Sequence, residues 1–184
     1  PEVGSWSYPE ESFFKLGTVP LYSGFMYASV GSYISQAWKI MKLEITEKPS
    51  ISWATWAKWH SFLAVILATA IYINFFTNHF WTDIRWVLIP LVFILFWKTW
   101  VRFTVSKKLG KIYKMPLNIS FILIAFFIWI AENISTFFGA WQYPDQVHVW
   151  NVVSTQKITS WFLMVIISFI IVASLKKNKK HDIM

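Results

Sequence analysis

Apolar residues come in five long runs with the Lys and Arg residues gathered between them, and no other feature of this 184-residue chain restricts its fold as much. The runs cover about 21–40, 59–77, 85–104, 117–139 and 158–175. Each approaches the roughly 20 residues a helix needs to cross a ~30 Å hydrocarbon core. A water-soluble domain keeps about 25% charged residues; here 14% are charged and 56% are hydrophobic. The expectation is an all-α, polytopic transmembrane helix bundle of about five spans, forming a single integral membrane domain over residues 1–184.

The first run, "LYSGFMYASVGSYISQAWKI", is the most polar, with Tyr22, Ser23, Tyr27, Ser29, Tyr33 and Gln36. Gly24, Ala28 and Ser32 fall four apart, a small-residue stripe that lets helices approach closely in lipid. Pro90 interrupts the third run, which neighbouring helices in a membrane tolerate.

Orientation follows from the basic residues. Lys39, Lys42, Lys48 and Lys58, then Lys98, Arg102, Lys107, Lys108, Lys111 and Lys114, then Lys176, Lys177, Lys179 and Lys180 fall on one side of the expected bundle. Only Lys15, Arg85 and Lys157 fall on the other. The positive-inside rule places the larger group in the cytoplasm, so the expectation is a multi-pass membrane protein with a cytoplasmic C-terminus. The same placement turns the net charge of +8 away from nucleic acid and towards the lipid bilayer as partner. Trp53, Trp56 and Trp59 would line the inner interface, and Trp81, Trp86, Trp141, Trp150 and Trp161 the outer one. With no cysteine, disulfides and thiolate metal sites are excluded.

One pattern occurs twice: "GSWSYPE" at 4–10 and "GAWQYPD" at 139–145, each followed by a short loop and an apolar run. Gly permits a left-handed helix cap, and Pro prevents continuation. Both copies fall on the face opposite the basic clusters, which suggests a parallel internal repeat related by an axis along the membrane normal. The second copy closes a helix, whereas the first has none in front of it, so the chain is expected to lack N-terminal spans.

At "GSWSYPE", "PLYSGFMYASVGSYI", "NFFTNHFWTDIR" and "WIAENISTFFGAWQYP" the chain resembles the bacterial integral membrane proteins catalogued as domain of unknown function 817. The resemblance extends over nearly the whole chain. It implies a protein of the bacterial cytoplasmic membrane whose relatives carry further spans before the first motif. It implies no activity.

Within the runs, Glu132 stands out. It lies about 10 Å below Gly139 along a helix, on a stripe with Trp129 and Thr136 and beside Asn133. A carboxylate at that depth costs roughly 2.5–3.5 kcal/mol on insertion scales and needs a partner or a task. The expected partners are Asn133, Thr136, a Tyr of the first run, or Arg85. Asn74, Thr77, His79, Asp83 and Arg85 gather at the outer end of the second and third runs. His79 and Asp83, four apart, are too few for a metal site. His60 reads as an interfacial headgroup contact. Glu132 is thus the candidate catalytic or proton-binding residue. Trp6, Tyr8, Glu10, Tyr22, Tyr27, Asn74, Thr77, His79, Asp83, Arg85, Asn133, Thr136, Trp141 and Tyr143 are candidates for lining an outward-facing polar site. No nucleotide, metalloprotease or hydrolase motif appears. The sequence supports a small-solute transporter or binding protein; the alternative is a membrane-embedded enzyme acting on a lipid or isoprenoid by acid catalysis. No cofactor is indicated.

Overall fold

The computed structural model describes residues 14–16, 19–20, 23–47, 53–77, 81–105, 111–146 and 148–181. Strands β1 (Lys15–Leu16) and β2 (Val19–Pro20) form a short antiparallel pair ahead of helix α1 (Ser23–Ile40). Strand β3 (Glu44–Glu47), helices α2 (Trp53–Thr77) and α3 (Arg85–Leu95), and strands β4 (Thr99–Thr104) and β5 (Ile112–Pro116) follow. Helix α4 (Leu117–Phe137), a 3-10 turn at Pro144–Gln146 and helix α5 (Gln156–His181) complete the order.

Helix α5 is the hub, touching each of the other four helices. Its residues Phe162, Leu163, Val165, Ile166, Phe169, Ile170 and Val172 are buried. They fall on one broad side of the helix, about half its circumference, as expected of a helix packed against several neighbours on one face. Against it, α4 presents Leu117, Phe121, Ala125, Glu132 and Thr136, a buried stripe at helical spacing. Rings join the contacts: Phe121 meets Phe169 edge-on at 5.1 Å, Phe93 stacks on Phe162 at 5.6 Å, and Trp38 of α1 stacks on Phe169 at 5.7 Å. Ala28 and Ser32 are exposed, so the expected small-residue stripe of α1 is not its packing face among the described residues; Ile34, with Val30 and Trp38, joins the core instead.

The expected all-α five-span bundle is corrected in two respects. First, the third run is not one long helix. It ends as α3 at Leu95, turns, and continues as β4, the central strand of an antiparallel sheet ordered β3-β4-β5. Thr99–Thr104 reads TWVRFT, β-branched and aromatic residues in alternation, which favours a half-buried strand. A hydropathy average is blind to the difference between a period of two and one of 3.6. β5 then runs directly into α4, with Pro116 as N-cap at φ −57° and ψ 135°, because proline suits extended backbone and cannot donate to a helix. Second, two helices among the described residues are long and apolar enough to cross a membrane, Leu117–Phe137 and Gln156–Lys176. The apolar parts of α2 (Trp59–Phe75) and α3 are shorter, and α1 interleaves Ser29, Ser32, Tyr33, Ser35 and Gln36 among its apolar residues.

The elements divide the molecule into two ends. The sheet gathers the start of α4 and the ends of α1 and α3. At the other end lie the loop after α4, the α2–α3 junction and the start of α5.

Candidate functional site

Glu132 lies on the buried stripe of α4 and is 4% exposed. Its carboxylate accepts two hydrogen bonds, both from aromatic side chains. The hydroxyl of Tyr143, in the loop after α4, donates to Oε1, and the indole N–H of Trp161, on α5, donates to Oε2 at 2.8 Å. The acid therefore joins three pieces of chain. Among the described residues no hydrogen bond joins α1 or Arg85 to Glu132, and the sequence-based choice of partners did not include Tyr143 or Trp161, the latter assigned to an interfacial belt.

The loop reaches Glu132 because α4 ends sharply. Gly139 has φ +77°, and the amides of Gly139 and Ala140 bond to the carbonyls of Thr136 and Ser135 at 3.1 and 3.0 Å. This is the paired bonding of a Schellman cap, and it turns the chain back over the helix. The left-handed glycine expected of the motif is thus present in its second copy; the first copy, at 4–10, lies outside the described residues. Further bonds hold the loop down. Asn133 accepts from the amide of Val153 at 2.9 Å and donates to the carbonyl of Trp129 at 2.8 Å. Trp129 donates to the carbonyl of Val153 at 2.9 Å, and Trp150 donates to the Thr136 hydroxyl at 3.2 Å. Gln146, buried, accepts from the amide of Tyr143 at 3.2 Å and donates to the carbonyl of Asn151 at 2.5 Å.

A second polar group ties the α2–α3 junction to α5. Asn74 donates to Asp83 at 3.1 Å and accepts from the amide of Ile84 at 3.0 Å. Asp83 also accepts from the amide of Arg85 at 2.9 Å and forms an ion pair with the Arg85 guanidinium. Arg85 donates onward to Ser160 of α5 at 3.1 Å. Burial pushes the Asp83 carboxyl up, but the Arg85 amide, the Asn74 amide group and the Arg85 charge together outweigh it and hold the carboxyl below its ordinary range. Lys157, at the start of α5, connects the groups: its ammonium lies 4.6 Å from the Tyr143 ring centre, within the fields of Glu132, Arg85 and Asp145.

The structure thus brings Glu132, Asn133, Thr136 and Tyr143 into one network, and Asn74, Asp83 and Arg85 into a neighbouring one. Thr77 turns back to the carbonyl of Ile73 at 2.9 Å on its own helix. Trp141 is half-buried in the loop. Trp6, Tyr8, Glu10, Tyr22 and His79 lie outside the described residues, as does the side chain of Tyr27. Sequence reasoning overlooked Gln146 and Lys157 as site members; only the folding back of the loop brings them near α4. His60 is no headgroup contact. It is 6% exposed, and its ring nitrogen lies 3.0 Å from the carbonyl of Leu95, where α3 has run out of amide donors. An apolar cleft of about 150 Å³ between α3, α4 and α5 is lined by Ile89, Phe93, Ile122, Ile158, Thr159 and Phe162.

A helical protein with a small antiparallel sheet at one end and a buried, hydrogen-bonded carboxylate near the other is the class these features define. The chain belongs to the family described as "Protein of unknown function (DUF817)", whose model matches residues 1–169. It is similar to the uncharacterized protein YoaT of Bacillus subtilis (strain 168), with 58% identity over 181 residues, covering 98% of this chain and 63% of YoaT. The chain therefore spans less than two thirds of that relative's length. No solved structure matches.

Proposed function

We propose that this is an integral membrane protein in which α4 and α5 cross the bilayer as an antiparallel pair, and that the polar network at their loop end binds a small solute for uptake or sensing. Glu132 would be the group that meets a proton or a cationic moiety. Several observations support the membrane reading. Ile119, Ile122, Leu123, Phe126, Phe127 and Phe137 of α4, and Phe62, Leu63, Val65, Ile66 and Ile73 of α2, are exposed. So much apolar surface suits lipid better than water. Only 28% and 39% of the two apolar stretches are buried, unlike an enclosed core helix. Lys and Arg residues crowd the sheet end, which the positive-inside rule assigns to the cytoplasm.

The observation that carries the solute reading is the setting of Glu132. It is a buried carboxylate held by one donor from a loop and one from a helix, with Lys157 stacked on that same loop tyrosine. A cationic ligand at the carboxylate would compete with Tyr143 and Trp161 for its oxygens. The lipid-enzyme reading has the apolar cleft beside Thr159 in its favour, but that lining contains no acid to protonate a substrate.

Glu132→Gln tests the proposal. The amide keeps the shape, its oxygen can still accept from Trp161, and the Tyr143 hydroxyl can reverse from donor to acceptor, so the variant is expected to fold. Thermal unfolding is measured against a panel of small amines, amino acids and guanidinium compounds. A solute at about 100 times its Kd stabilises by roughly 2.7 kcal/mol. The wild type is expected to show the shift and the variant to lose it. A full shift in Glu132→Gln would end the solute reading.

A further inference from the structure

The sheet at the other end has two chemically different faces. Val101 pairs with Ile45 and Met115, and Phe103 with Tyr113; Val101, Ile45 and Phe103 belong to the core or pack against it. The alternating positions face outward. There Arg102 stands between Glu44 on β3 and Lys114 on β5, and its neighbour Trp100 stands between Thr46 and Pro116. Arg102, Lys114 and Glu44 are all exposed.

Two cations directly opposite on adjacent strands repel one another. Among the described residues no ion pair joins Glu44 to Arg102 to relieve this. Lys114 instead leans diagonally onto Trp100, its ammonium 4.6 Å from the ring centre. This ammonium group is held along the outward face. Lys98, in the turn entering β4, and Lys42, beside the carbonyl of Met41 that bonds the Thr104 amide at 2.9 Å, extend the positive surface at both ends of β4. The rim is apolar: Trp97 is 74% exposed and Ile112 66%. A positive face with exposed ring and aliphatic groups beside it matches the boundary between headgroups and acyl chains. An acidic protein or a nucleic acid would gain nothing from that rim.

We propose that the outward face of the β3-β4-β5 sheet binds anionic phospholipid, with the headgroup phosphate held between Arg102 and Lys114 and with Trp97 and Ile112 at acyl-chain depth. This rests on the reading of α4 and α5 as membrane-crossing, which puts the sheet at the cytoplasmic interface. Arg offers a fork of donors for phosphate and Lys a point charge. Each cation near an anionic surface contributes about fivefold in affinity, so the pair gives at most roughly 30-fold.

The full chain in neutral detergent is titrated with short-chain phosphatidylglycerol and, separately, phosphatidylcholine, with thermal unfolding as readout. The wild type is expected to prefer phosphatidylglycerol by at least tenfold, and Arg102→Gln/Lys114→Gln to fall to within about twofold of no preference. The charge-keeping exchange Arg102→Lys/Lys114→Arg should retain most of it, as should Lys176→Gln/Lys177→Gln, which removes two positive charges elsewhere. The proposal is overturned if the Arg102/Lys114 glutamine variant keeps the full preference, if the Lys176/Lys177 variant loses as much, or if inorganic phosphate competes as well as the lipid. Alkaline carbonate extraction of membranes tests the membrane-crossing reading separately. Release of the chain would refute that reading, and the lipid comparison would still decide the headgroup site.

Discussion

Gly139 and Lys42 solve the same problem with different residues. Both sit just beyond a helix end at positive φ, +77° and 48° respectively, and each is followed by an amide that bonds back into the helix. Glycine adopts that conformation without steric cost, whereas a side chain there costs roughly 1–2 kcal/mol. A Cβ on Gly139 would meet nothing within 4 Å, so the penalty of Gly139→Ala is conformational alone. That variant is expected to lose about 1 kcal/mol of stability, and Lys42→Gly to gain somewhat less, because its unfolded chain is also freer. Paired denaturation curves check both signs; a stabilised Gly139→Ala would mean that the loop after α4 does not depend on this turn. Asn118 shows a related economy: its amide N–H donates at 3.3 Å to the carbonyl of Phe93, near the end of α3, while its own oxygen is buried without a partner among the described residues.

The junction of α2 and α3 depends on Asp83 at the scale of elements. Its carboxylate takes up the Arg85 amide at the start of α3, the Asn74 side chain near the end of α2, and the guanidinium that reaches α5. Because folding lowers the pKa of this group, its contribution is complete above the unfolded value, near 3.9, and is lost as pH falls through the lower folded value. The wild type should therefore lose stability as the pH is lowered below about 4. Asp83→Asn should be less stable at pH 7 and show a flatter acid limb. Unfolding followed from pH 7 to pH 3 distinguishes them, and parallel acid limbs would exclude Asp83 as a contributor. The pH window is set by the direction of the shift: a raised pKa would have placed the loss above pH 4.

For the whole molecule, the decisive arrangement is the separation of a basic sheet end from a polar loop end by α4, 21 residues and hence about 32 Å long. That length matches a hydrocarbon core of ~30 Å. This sequence has no cysteine, so one introduced at Lys111, exposed just before β5, or at Val149, exposed in the loop, gives a clean label. In intact cells an impermeant maleimide is expected to modify Val149→Cys and to spare Lys111→Cys until the cells are opened. Equal labelling of both before lysis would remove the membrane-crossing reading of α4, and with it the placement of the sheet at a cytoplasmic interface.

By itself the sequence determined the helical apolar runs, the family, the stripe that buries Glu132 and Thr136, and the glycine turn at 139. Each is a local property: the side-chain period, a specific string, or the freedom of one residue. What it did not determine was the fate of the third run. A window that averages hydropathy over 85–104 counts the same apolar residues in a helix as in a helix followed by a strand. The alternation of TWVRFT was visible, but a strand also needs neighbours, and those come from 44–47 and 112–116. The partners of Glu132 were beyond reach for the same reason. Tyr143 and Trp161 are distant from it in sequence, and only the reversal of the chain after Gly139 and the packing of α5 against α4 bring their donors to one carboxylate. Periodicity is carried by neighbours along the chain; hydrogen-bond partners across elements are chosen by packing.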